Sequence, residues 1–143
     1  MQKSTLLIGT LLLSFAAGLA YTRPVPQDDD PSPLADAMGT LQGGQRKLRK
    51  QLKDTENSAA AVATLQQMQR GAITALGLPP APPEGMEDGK KPAWRIDFQR
   101  QMVQVLDTLL TIELAVTEGR TESAMEAYKA LGALKKSGHD TYQ

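Results

Sequence analysis

Cysteine is absent from the 143 residues, and histidine occurs once, as His139. Without cysteine the chain can form no disulfide framework, zinc–thiolate site, iron–sulfur cluster, thiol nucleophile or covalent C-x-x-C-H haem attachment. A single histidine excludes a histidine-rich metal site and disfavours a Ser-His-Asp triad. Only generic carboxylates remain as catalytic groups, so the sequence predicts that the protein is not an enzyme.

An excess of one charge is also lacking, because 16 Lys and Arg residues balance 16 Asp and Glu residues. A nucleic-acid binder normally has a basic excess or a basic stripe, and we expect neither here. Nucleic acid is therefore excluded as a partner. Aromatic residues make up only 4% of the chain, and no alternating β-branched run marks a strand. The expected fold class is all-α.

The longest apolar run lies at the N-terminus, where Lys3 precedes an apolar segment over 6–20. The run has about 15 residues, whereas a bilayer-crossing helix needs roughly 20. Small residues end it at Ala20, as in a secretory signal peptide. We expect 1–20 to be a cleaved signal peptide, with export to the periplasm and no stable membrane insertion afterwards; an uncleaved anchor is the alternative. Residues 21–32, rich in proline and aspartate, are expected to form a flexible leader.

Proline is confined to two clusters, 24–33 and 79–92. Because proline inside a helix costs about 3 kcal/mol, helices are expected in the two proline-free stretches. Each stretch has one internal break, at 54–58 and at Gly119. The expected helices cover about 33–53, 58–76, 92–118 and 121–142. Three of them carry apolar residues at alternating spacings of four and three, and the second helix shows a weaker apolar series. Short connections then predict an up-down-up-down antiparallel four-helix bundle over 33–143.

Such a bundle brings the start of its first helix and the end of its fourth helix to the same end. Met38 lies about five residues into the first helix, and His139 lies about three residues before the end of the fourth. The other two helices are expected to contribute Met68, Trp94, Phe98 and Met102 to the same layer. An imidazole nitrogen and a thioether sulfur in an apolar pocket are a donor pair suited to haem iron.

Each of these side chains also has an ordinary structural explanation. Met38 falls in a helical apolar series, where methionine usually fills the core. His139 lies near a helix C-terminus, where a surface imidazole interacts favourably with the helix dipole. Leu131 can be an ordinary core leucine, and Lys135 can be a solvated lysine. Met86, in the central loop, is an alternative thioether ligand to Met38.

Several short motifs of the chain have the order and spacing found in one known protein family. They are Leu34-Ala-Asp-Ala-Met38-Gly-Thr-Leu41, Pro79-Pro80, Asp97-Phe98, Glu118-Gly119, and His139 followed by Tyr142. Through them, residues from about 34 to 143 resemble the soluble cytochrome b-562 family, although the segment between Met38 and Met68 is about one helical turn longer here. The resemblance implies one noncovalently bound haem b, with Met38 and His139 as the axial iron ligands. It also implies that the haem is lined by Leu41, Met68, Phe98 and Leu131, by Met102 in place of an aromatic residue, and by Lys135 in place of an arginine.

The function that this resemblance implies is electron transfer. The sequence therefore predicts a periplasmic protein that carries one electron on its haem iron and exchanges it with an unidentified periplasmic redox partner protein. Both axial positions would be filled by the chain, so no substrate site would open at the iron. The alternative is a haem-free exported helical bundle that acts as a binding or structural protein.

Overall fold

The computed structural model describes residues 32–142, apart from the side chain of Thr55, and contains four α-helices in that range. They are α1, Pro33–Gln51; α2, Ser58–Leu76; α3, Lys91–Thr117; and α4, Thr121–Tyr142. A short 3₁₀ turn, Thr55–Asn57, lies between α1 and α2. No strand occurs within the described range, which confirms the all-α expectation. Each helix begins and ends within two residues of its predicted bounds.

The expectations for the N-terminal segment concern residues outside the described ones. These are the signal peptide over 1–20 and the leader over 21–32, of which only Ser32 is described. Within residues 32–142, no helix combines the length and the apolar composition needed to cross a bilayer.

Local sequence signals account for the ends of the helices. The Ser32 hydroxyl accepts a hydrogen bond from the Ala35 amide at 3.2 Å, and Pro33 occupies the first helical position. The Asp54 carboxylate accepts from the Glu56 amide at 3.3 Å and caps the 3₁₀ turn. Gly119 follows α3 with φ of +71°, a left-handed conformation that favours glycine and ends the helix. The two predicted breaks therefore lie where the chain turns.

The helices pack in chain order: α1 lies along α2, α2 along α3, and α3 along α4. The backbones of α1 and α4 lie farther apart, and the Tyr128 hydroxyl of α4 donates to the Gln45 carbonyl oxygen of α1. The Gln99 amide near the start of α3 donates to the Leu76 carbonyl oxygen at the end of α2, at 3.3 Å. The Tyr142 hydroxyl at the end of α4 donates to Asp97 near the start of α3, at 2.8 Å. The contact between α1 and α4 is therefore less close than the contacts between consecutive helices.

Two regions of the helix assembly can be distinguished, although each contains both fully buried and partly buried apolar side chains. One region, which we call the closed end, contains side chains with no exposed surface, among them Leu48, Leu65, Leu109 and Ile112. The other region, which we call the cavity end, contains the start of α1 and the end of α4. There Leu34, Met38, Leu41, Leu134 and Tyr142 pack against the core but remain only partly buried.

Candidate functional site

A cavity lies at the cavity end, between α1 and α4. Its volume is about 150 Å³, and about 880 Å³ when the space open to solvent is included. Four helices and the central loop contribute to its walls, which are mainly apolar. The lining residues are Leu34, Met38, Leu41, Gln42, Gln45, Met68, Pro80, Phe98, Gln101, Met102, Val105, Leu131, Leu134, Lys135, Gly138, His139 and Tyr142.

The structure brings together every site residue predicted from the sequence. The cavity is lined by Met38 and Leu41 from α1, Met68 from α2, Phe98 and Met102 from α3, and Leu131, Lys135 and His139 from α4. Pro80 of the predicted loop pair also lines it, whereas the competing thioether Met86 does not. Trp94, expected in the same layer, is not a lining residue either. The predicted residues therefore share one cavity.

Met38 and His139 lie on the two helices that border the opening of the cavity. Met38 is in the second turn of α1, and His139 is in the last turn of α4. Both side chains are half-buried, in contrast with the other two lining methionines, Met68 and Met102, which are 1% and 5% exposed. The cavity thus has one thioether and one imidazole at its partly open side.

Met68 is held in the wall by a close approach of α1. A Cβ atom added to Gly44 would overlap the Met68 side chain, with the Met68 Sδ only 2.6 Å away. Glycine at this position lets the backbone of α1 lie directly against the thioether. The Met68 sulfur is therefore packed against a helix backbone, which suits a wall residue better than an iron ligand.

Gln101 connects α3 to the segment of α4 that carries His139. Its side-chain amide donates to the Leu134 carbonyl oxygen at 3.0 Å. The absence of a side chain at Gly138 makes room for this amide, because a Cβ there would lie 2.8 Å from the Gln101 Nε2 atom. Nothing in the spacing of Gln101 marked it as a site residue, and the only sequence signal was a glycine beside His139. Gln42 and Gln45 are further polar lining residues that the sequence did not reveal.

An aromatic cluster closes the cavity beyond His139. The Tyr142 ring packs edge-to-face against Trp94 and Phe98, with ring centroids 5.3 and 5.2 Å apart. Burial raises the pKa of the Tyr142 hydroxyl to about 12, and the hydrogen bond to Asp97 and the charge of that carboxylate act in the same direction. Trp94 thus takes part indirectly, by supporting a residue of the cavity wall.

No group of three or more His, Cys, Asp or Glu side chains in residues 32–142 is arranged to hold a metal ion. A haem iron needs only its two axial ligands from the protein, since the porphyrin supplies the others. Comparisons of the chain with protein-family models, with curated proteins and with solved structures find no match.

Proposed function

We propose that the protein is a periplasmic electron-transfer protein that binds one haem b noncovalently in the cavity between α1 and α4. Met38 and His139 are its axial ligands in this proposal. One observation carries it: the two candidate donors and the six other residues predicted around a haem all line the same cavity. The N-terminal sequence, with its cationic start, short apolar run and small residues at 16–20, supports export to the periplasm.

The residues present fit such a group by their chemistry. Porphyrin faces require apolar walls, and leucine, methionine, phenylalanine and valine side chains provide them here. The nitrogen and sulfur donors would come from α4 and α1, which both line the cavity. Lys135 on α4 is exposed and lies at the cavity, where its ammonium group suits a haem propionate. A noncovalent haem also agrees with the absence of cysteine.

A bound haem would supply an iron that takes up and releases one electron. With haem bound, the imidazole of His139 would hold iron in both oxidation states, and the Met38 thioether would favour the ferrous state and raise the reduction potential. The apolar walls would keep water away from the bound group and strengthen this preference. Gln101 is a positioning residue, because it ties α3 to the turns of α4 that precede His139.

The helix order that places both donors at one end is part of the proposal: an up-down-up-down antiparallel bundle. It is supported by contacts that join the end of one helix to the start of the next. The Leu76 carbonyl oxygen accepts from Gln99, and Asp97 accepts from Tyr142. The second half of α2 also lies against the first half of α1. A Cβ added to Gly71 of α2 would be only 3.2 Å from the carbonyl oxygen of Ala37 of α1.

Haem titration of ligand variants tests the proposal. We expect the wild type to develop a low-spin spectrum with sharp α and Soret bands. His139→Ala should lose most haem binding, because imidazole is the stronger donor. Met38→Ala should retain some haem but give a high-spin spectrum and a lower potential. Met86→Ala is the matched control, since Met86 lies outside the cavity lining, and it should bind haem as the wild type does.

One result would contradict the proposed ligand roles. Met38 and His139 would be ordinary structural residues if His139→Ala bound haem as well as the wild type did. Met38→Ala would then only lower stability as a truncated apolar side chain.

A haem-free bundle that binds other proteins is the second candidate, and an exposed apolar surface on α3 favours it. Ile96, Val103, Leu110 and Leu114 are each about half exposed, from 49% to 56%. A group of large, exposed apolar side chains often marks a contact surface for another protein. A purified protein that stays colourless after haem addition would favour this candidate over the cytochrome.

A further inference from the structure

The second half of α1 carries a concentration of positive charge. Five basic residues lie between 46 and 53, and no acidic residue occurs from 37 to 53. They are Arg46, Lys47, Arg49, Lys50 and Lys53, all exposed. The expectation that the chain lacks a basic stripe is therefore wrong for this helix. The net charge of the chain does not reveal the stripe, because acidic residues elsewhere in the chain compensate for it.

These side chains line a groove rather than a flat surface. One wall is formed by Arg46, Arg49 and Lys50, which lie on one face of α1, and by Lys53 in the turn that follows α1. Tyr128 of α4 also lines the groove, and its hydroxyl donates to the Gln45 carbonyl oxygen at 3.0 Å. No acidic residue lines the groove. None of the ion pairs found in the described part of the chain involves a basic residue of the stripe.

The helix dipole explains only part of this pattern. Arg49 and Lys50 lie in the last turn of α1, where cations interact favourably with the helix C-terminus. That effect fades within one turn, so it does not account for Arg46 and Lys47. A row of uncompensated cations that continues into the helix is more typical of a surface that meets a complementary negative charge.

The groove adjoins the cavity between α1 and α4. Gln45 lines both of them. Arg46 follows Met38 by eight residues, which corresponds to roughly 12 Å along the helix at 1.5 Å per residue. The groove therefore begins beside the cavity at Gln45 and continues away from it along the second half of α1, past Leu48 of the closed end.

We infer that this groove is the docking site for an acidic surface of the redox partner protein; the inference rests on the proposed function. Its charge is local, extending roughly 10 Å from residue 46 to residue 53, while the whole chain has a formal net charge of zero. Asp54 and Glu56, both exposed, follow Lys53 within three residues, so an extended anionic surface such as a membrane would also meet negative charge there. A protein with a small acidic patch matches the local charge of the groove and, at the Gln45 end, reaches the side of the cavity.

Two triple variants with the same loss of charge test the inference. The groove variant combines Arg46→Gln, Arg49→Gln and Lys50→Gln. The control variant combines Arg70→Gln, Arg95→Gln and Arg100→Gln, three exposed residues of α2 and α3 outside the groove and the cavity. Circular dichroism checks that both variants retain their helices. Glutamine is used because it keeps helix propensity close to that of arginine and lysine.

The first measurement is binding of fluorescently labelled poly-L-glutamate, followed by anisotropy at low ionic strength. We expect the groove variant to bind at least about tenfold more weakly than the wild type, and the control variant to bind nearly as the wild type does. The difference should shrink as salt is added, because salt screens exposed charges. Equal binding by the two variants would overturn the inference. So would tighter binding of the wild type to phosphatidylglycerol vesicles than to poly-L-glutamate.

The second measurement uses the reduced haem-loaded protein, which passes one electron to ferricyanide, a small anionic oxidant. The groove variant should react several-fold more slowly than the control variant at low ionic strength, and the cationic oxidant hexaammineruthenium(III) should show the reverse order. If haem binds but the two variants react equally, the docking site is wrong and the haem proposal stands. If the chain takes up no haem, both proposals are overturned. Haem titration by itself shows whether haem is taken up.

Discussion

The closed end and the cavity end are built from the same apolar periodicity but pack differently. On α1, Leu48 has no exposed surface, whereas Leu41, two turns earlier on the same helix, is only partly buried and lines the cavity. Leu109 and Ile112 of α3 are likewise fully buried, while Leu134 and Tyr142 of α4 are not. One end is filled by its own side chains, and the other leaves space between α1 and α4.

The difference shows that a regular apolar stripe does not by itself make a filled core. Small buried residues let neighbouring helices approach in both regions, Ala61, Ala115 and Ala124 at the closed end and Ala37, Ala72 and Ala75 at the cavity end. At the closed end, leucines fill the remaining space. At the cavity end, polar residues take part in the helix contacts, through Gln101 and through Tyr142. Interhelical hydrogen bonds also occur at the closed end, where Gln66 and Gln69 of α2 donate to Glu113 of α3. The two ends therefore differ in the space left between α1 and α4 rather than in their reliance on hydrogen bonds.

Truncating one leucine at each end should give the largest contrast. We expect Leu48→Ala to lower the free energy of unfolding by about 2–5 kcal/mol, because it leaves a void in a filled core. Leu41→Ala should lower it by about 1 kcal/mol in the haem-free protein, since part of that side chain is already exposed. Urea denaturation followed by circular dichroism measures both. Equal losses would mean that the cavity end is closed in solution.

Two adjacent glycines of α1 offer a sharper comparison. Gly44→Ala should destabilise the protein by about 1–3 kcal/mol, because the added Cβ overlaps Met68. Gly43→Ala should instead stabilise it by about 0.5–1 kcal/mol, since nothing lies within 4 Å of a Cβ there and alanine is the better helix former. Thermal unfolding of the two variants measures both changes in stability. A stabilising effect of Gly44→Ala would show that α1 and Met68 are not in close contact.

The smallest expected effect concerns the polar contacts of the cavity end. Tyr142→Phe removes the hydrogen bond to Asp97, at a cost of about 0.5–1 kcal/mol. The pKa of the Tyr142 hydroxyl is raised from 10.0 to about 12, so the folded state holds this proton more tightly than the unfolded chain does. Stability should therefore be constant below about pH 10 as far as this group is concerned, and should fall as the pH rises toward 12.

The alkaline loss is measured as the change in the unfolding midpoint between pH 9 and 11. It should be smaller in Tyr142→Phe than in the wild type. Tyr128→Phe serves as the control, because it removes a hydroxyl that donates to a backbone carbonyl rather than to a carboxylate. An unchanged alkaline loss in Tyr142→Phe would contradict the assigned contact with Asp97.

Several features of the fold and of the candidate site could be predicted from the sequence. Proline positions, capping residues such as Ser32 and Asp54, and the stop at Gly119 act over a few residues, so the helix bounds could be predicted closely. Met38 and His139 could be placed at one end because helix lengths and short connections set their heights. Six further lining residues were predicted from helical spacing and from the resemblance to a haem-binding family, whereas the lining glutamines Gln42, Gln45 and Gln101 were not.

Other features depended on which helices meet, and no local pattern reveals that. The sequence by itself determined four helices, their apolar faces and the position of the two candidate ligands along them, because these follow from short-range propensity and periodicity. Only the tertiary structure decided that Gly44 is a contact point and Gly43 is not, that Gln101 reaches the backbone of α4, and that the cations of α1 line a groove next to the cavity. The physical reason is that close packing and charge complementarity depend on distances between residues far apart in the chain, whereas helix formation depends on neighbours.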